Sequence, residues 1–142
     1  MDIFINLLFW VHMVALAVGG SASFGLFAMR PFVAKSSPET REKLFSIEGA
    51  LSRNGMIALG LLFVSGPLLI WARFGGFGAL SVWFWVKMGL IAVQIVAIAM
   101  AGRAGRRLKG GDLSAAPALT MASNVSILAF LLVILSAVFA FE

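Results

Sequence analysis

The chain has no cysteine and no tyrosine, a single histidine, and a charged fraction of only 12% in its 142 residues. Without cysteine there are no disulfides, no iron–sulfur clusters and no thiolate metal sites. A Ser/His/Asp set, a phosphate-binding loop and an acidic metal cluster are also missing, so classical hydrolase and phosphoryl-transfer chemistry has no support. Acidic residues are absent from every long apolar run.

What is present is apolar. Hydrophobic residues make up 61% of the chain, and the mean hydropathy of +1.03 lies outside the range of soluble domains. Crossing a hydrocarbon core of ~30 Å takes about 20 helical residues. Four runs meet that length, roughly 3–29, 55–72, 81–102 and 118–141. They occupy most of the chain and leave no room for a soluble catalytic domain. The expected fold is all-α: one transmembrane domain over residues 1–142, with four spans joined as an antiparallel bundle.

The net charge of +5 is unevenly placed. Arg30, Lys35, Arg41, Lys43 and Arg53 lie between the first two spans, and Arg103, Arg106, Arg107 and Lys109 between the last two. The middle connection has only Arg73. The positive-inside rule then puts the two basic connections in the cytoplasm and both termini on the outer, periplasmic side of an inner (cytoplasmic) membrane. A membrane surface explains this charge without a nucleic-acid partner. The first basic residue, Arg30, follows the first apolar run, so that run reads as a retained span and not a secretory signal.

Several local signals refine the picture. The first helix should end at Arg30–Pro31, since proline interrupts helical bonding. Gly19 with Ser23, and Ser21 with Gly25, form small-xxx-small pairs that let helices approach closely in lipid. In residues 36–49, Ser37 can cap a helix with Pro38 at its first position, and Leu44, Phe45 and Ile47 suggest a short interfacial amphipathic helix. Gly66 and Pro67 should kink the second span, where a group such as Ser65 can take up the freed carbonyl. The tryptophan-rich opening of the third span fits an aromatic belt at the outer interface.

Polar groups inside a bilayer are expensive and mark candidate sites. They are His12, Lys87, Gln94, Asn124 and Asn6. At ~1.5 Å per residue, His12 lies roughly 15 Å from the outer end of its helix and Lys87 roughly 9 Å from the outer end of its own. Gln94 is two turns beyond Lys87 on the same face, giving a polar stripe expected to face the protein interior. Lys87 can snorkel to the headgroups or pair with an anionic ligand.

His12 has three readings. A neutral imidazole can be satisfied by a serine or a carbonyl, a proton relay can pass through it, or it can ligate haem iron between helices. A relay normally needs several titratable groups in series, which favours ligation over transfer. Gly19, seven residues on, would leave space for a flat macrocycle. A second ligand could be Met13, Met56, Met88, Met100 or Met121, a histidine of a second subunit in a homodimer, or nothing.

The early histidine, the small residues behind it, GLFAMR at 25–30 and WFWVKMGL at 83–90 together resemble the HemJ-type protoporphyrinogen oxidases and the wider group containing the copper-resistance D membrane domain. The resemblance implies a membrane-embedded protein holding haem b, with His12 as ligand and Lys87 and Arg30 as contacts to propionates or substrate. It also implies redox activity, with oxidation of protoporphyrinogen IX one possibility. Two other readings stay open: a non-enzymatic accessory subunit of a larger membrane complex, and copper or small-solute handling, suggested by that group and by seven methionines.

Overall fold

The computed structural model describes residues 2–76, 78 and 81–140. Its long elements are four helices: α1 (Asp2–Lys35), α2 (Pro38–Phe74), α3 (Val82–Lys109) and α4 (Ala116–Ala140). All four are long and apolar enough to cross a membrane. They pack as two hairpins, α1 with α2 and α3 with α4. The chain is thus a multi-pass membrane protein with four candidate spans.

Each hairpin is built on a heptad pattern. The least exposed positions of α1 include Leu8, His12, Ala15, Gly19, Ala22, Leu26, Met29 and Val33, and those of α2 include Leu44, Glu48, Leu51, Gly55, Ala58, Leu62, Ser65 and Leu69. On α4 they include Leu119, Ala122, Ser126, Ala129, Val133 and Ser136, in line with buried Ala115 of the turn before it. Alternating steps of three and four keep a seam facing its partner when helices wind gently left-handed around one another.

The first hairpin is tight. A Cβ added to Gly19 would stand 3.5 Å from that of Ala58, and one on Gly55 would stand 3.4 Å from that of Ala22. One on Gly25 would meet Leu51 Cδ1 at 3.3 Å. Near-backbone contact of this kind supplies the dispersion that holds helices together in lipid. The small face toward α2 runs through Ala15, Gly19 and Ala22; Ser21 is exposed, and Ser23 donates its hydroxyl to Gly19 O at 3.0 Å.

Three expected boundaries move. α1 continues through Pro31 to Lys35: the proline lies on the exposed face, while half-buried Met29 and Val33 hold the final turn on the seam. Residues 36–49 form no separate interfacial helix, because residues 38–74 are one helix. Ser37 and Pro38 do start it, with Ser37 Oγ accepting from Thr40 N at 3.4 Å. Nothing then stops it, since Leu44, Glu48 and Leu51 continue the seam past the isolated Gly49. α3 runs on to Lys109, beyond the apolar stretch. The 73–80 connection and the end of the fourth span at 141 lie partly outside the described residues.

The turns differ. Ser36 and Ser37 alone separate α1 from α2, whereas α3 ends at Gly110 and Gly111, the latter at φ 93°, followed by a 3-10 turn at Leu113–Ala115. Asp112 organises this second turn. Its carboxylate accepts from Ser114 N at 3.1 Å and pairs with Arg107 Nη2 at 2.7 Å. These bonds, Ser114 first and Arg107 next, hold the Asp112 carboxyl below the ordinary aspartate range.

Candidate functional site

The site grows out of the α1–α2 register. Gly19 opposite Ala58 and Ala22 opposite Gly55 fix an antiparallel alignment. Carried two turns toward the open end, it brings His12 level with Ser65. Their side chains meet, Nδ1 to Oγ at 2.8 Å. Ser65 is 2% exposed, and the imidazole is half-buried.

Hydrogen-bond direction determines the chemistry of the ring. A serine hydroxyl has one proton to give and lone pairs to receive with. Ser65 Oγ gives its proton to Leu61 O at 2.6 Å, so toward His12 it accepts. His12 Nδ1 therefore carries the proton and donates, and in the neutral ring Nε2 keeps the basic lone pair. An imidazole in this tautomer, oriented through Nδ1, is the usual form of a histidine metal ligand.

The neighbouring glycine and proline have separate roles. A Cβ on Gly66 would lie 3.7 Å from His12 Cε1, so the α2 backbone passes close beside the ring edge. Pro67 stays within α2 and removes the bond that Phe63 O would receive. Ser65 does not take up that carbonyl, because its proton goes to Leu61, two residues earlier.

The remaining candidates divide between the hairpins. Gly19 faces Ala58, which occupies the space beside it. Arg30 lies within electrostatic range of Glu48 and 5.8 Å from the Phe27 ring centroid. In the second hairpin Gln94 is 9% exposed and Lys87 is half-buried, so both turn toward the α3–α4 seam. The Trp83–Phe139 ring contact at 5.4 Å and the Gly110–Gly111 turn set the register there. It puts Gln94 within half a turn of the level of Ser126, and Lys87 near that of Ser136. Met88 is exposed beside the seam, as are Met13, Met56, Met100 and Met121. Asn6 and Asn124 lie on exposed faces. No group of three or more histidine, cysteine, aspartate or glutamate side chains gathers to hold a metal among the described residues.

Ser65 is the residue that sequence reasoning undervalued. It was visible as the serine before Gly66–Pro67, and it shares the seven-residue spacing of Leu51 and Ala58. Its pairing with His12 needs the helix register, which a run of apolar letters does not contain. No family model, curated protein or solved structure matches this chain.

Proposed function

We propose that the four spans close into an antiparallel bundle in the cytoplasmic membrane, with both termini outside, and that His12 is the axial ligand of a b-type haem. One observation carries this reading: His12 Nδ1 lies 2.8 Å from Ser65 Oγ, which itself lies 2.6 Å from Leu61 O, an arrangement in which Nδ1 of a neutral ring donates and Nε2 bears the lone pair. The donor chemistry fits iron, and Gly66 itself adds no side chain beside His12 Cε1, where a Cβ would lie 3.7 Å away. Bound haem supplies one-electron chemistry. The chain's own part is to hold the imidazole in one tautomer and one orientation, inside a seam that excludes water. Met13, Met56, Met88, Met100 and Met121 all lie on exposed faces, so the one protein ligand taken from this hairpin is His12.

The test is an absorption spectrum of detergent-purified protein made with ample haem. A Soret band that shifts with dithionite and disappears in His12→Ala is expected; colourless wild-type protein refutes the assignment. Oxidation of protoporphyrinogen IX, implied by the HemJ-type resemblance, is the first activity to assay on coloured protein.

A second reading, an accessory subunit packed against a larger membrane complex, draws on the broad apolar faces of both hairpins, including Trp71 and Met121. Its signature is stoichiometric co-purification with a partner, together with function that survives His12→Ala.

A further inference from the structure

The turn end of α3 carries charge that the histidine site does not use. The apolar run stops at Ala101, and the next turns bring Arg103, Arg106, Arg107 and Lys109. Buried Ala104 and half-buried Leu108 take the seam toward α4. Arg103 and Arg106 are both exposed on the opposite side, three residues apart, so their Cβ atoms lie about 5–6 Å from each other.

The backbone beside them is bare. A Cβ on Gly105 would meet nothing within 4 Å, and one on Gly102 would meet only Arg106 Nη1 at 3.8 Å. The nearby acid is committed elsewhere: Asp112 accepts from Arg107 Nε at 2.9 Å and Nη2 at 2.7 Å, and it caps Ser114. Neither Arg103 nor Arg106 has an ion-pair partner among the described residues. In the first hairpin Lys43 pairs with Glu39 at 3.8 Å, and Glu48 lies within electrostatic range of Arg30.

An apolar track leads into the arginine pair. Ala92, Val96, Ala99 and Met100 are exposed on the same side of α3 as Arg103, with small and large residues alternating along it. A charged end where the apolar run stops, continuous with an exposed apolar face along one span, matches the two parts of a lipid.

We infer that Arg103 and Arg106, over the bare Gly102–Gly105 backbone, bind the phosphodiester headgroup of an anionic phospholipid whose acyl chain lies along Val96 and Met100. Two guanidinium groups at this spacing can each donate to one phosphate, and both charges act at headgroup level. The site is independent of the haem reading.

The experiment is native mass spectrometry of the full chain in neutral detergent, titrated with phosphatidylglycerol or phosphatidylcholine. Wild type should retain phosphatidylglycerol preferentially. Arg103→Gln and Arg106→Gln should each weaken that retention about fivefold, with phosphatidylcholine unchanged. The charge-preserving double variant R103K/R106K should keep most of the preference, and R41Q/K43Q at the first turn should keep all of it. Inorganic phosphate and glycerol 3-phosphate should not displace the lipid. Undiminished phosphatidylglycerol retention in both single glutamine variants overturns the proposal. So does an equal loss in R41Q/K43Q, or displacement by free phosphate.

Discussion

In the first hairpin the seam narrows to glycine facing alanine at Gly19, Ala22, Gly55 and Ala58, whereas in the second buried alanines such as Ala97, Ala122 and Ala129 share the interior with side chains as large as Phe84, Phe130 and Val133. Both follow nearly the same period, so the difference lies in what occupies it. Small residues let the first two backbones approach. A ring nitrogen caught there, unlike a serine hydroxyl, cannot reach a carbonyl of its own preceding turn as donors of short side chains do, so it meets a side chain at its own level. That is the position of His12 and Ser65. In the second hairpin, interdigitating side chains provide the contact, and the buried Ser136 hydroxyl turns to its own helix, donating to Val133 O at 2.9 Å.

The widest predicted separation between the hairpins comes from overfilling the seams. Ala58→Leu, at a position 1% exposed, should cost roughly 1–3 kcal/mol or more, because the Gly19 backbone opposite it cannot retreat. Ala129→Leu, at 3% exposed, should cost less, since neighbouring side chains can change rotamer. Paired unfolding titrations in mixed micelles measure both; equal losses would remove the distinction between a backbone seam and a side-chain seam.

The hydroxyls give a smaller contrast. Ser65→Ala takes away the acceptor of a bond between helices and should cost about 1 kcal/mol, while Ser136→Ala removes a bond within one helix and should cost less. Nitrogen NMR of labelled His12 adds a direct reading. Wild type should show a protonated Nδ1 and a lone-pair Nε2, and Ser65→Ala should mix the two forms.

The smallest effect belongs to the turns. The folded Asp112 carboxyl titrates below the ordinary aspartate range because Ser114 and Arg107 hold its ionised form. Its stabilisation is complete above the unfolded aspartate value and is lost as the pH falls through the lower folded value. The melting advantage of wild type over Asp112→Asn should therefore shrink on acidification through that window. The first turn, organised by Ser37 and Pro38, should show no such advantage over Ser37→Ala that depends on Asp112. A flat difference for Asp112→Asn across the acid range would show that the carboxylate does not hold the second turn.

Legibility from the sequence varied with the type of signal. Apolar runs announced the four spans, and the serine–proline pair at 37–38 announced the start of α2. The Lys87–Gln94 stripe was readable because seven residues make almost two whole turns. Helix ends were misjudged where a local rule met packing: Pro31 reads as a stop, yet the seam carries α1 past it. Residues 36–49 read as a short interfacial amphipathic helix, yet from Pro38 on they are the first turns of a long one.

Composition alone determined that this chain enters a membrane, because burying so many apolar side chains in water-free surroundings outweighs any preference within single helices. It also determined which few polar groups would be costly there. Only the tertiary structure decided their partners. Whether His12 meets a carbonyl, a serine or another helix depends on how far α2 slides along α1, and close contact at Gly19, Ala22, Gly55 and Ala58 sets that distance. Shape complementarity between two helices is a property of both surfaces together, and for that reason the Ser65 partner of His12 became visible only once the hairpin was assembled.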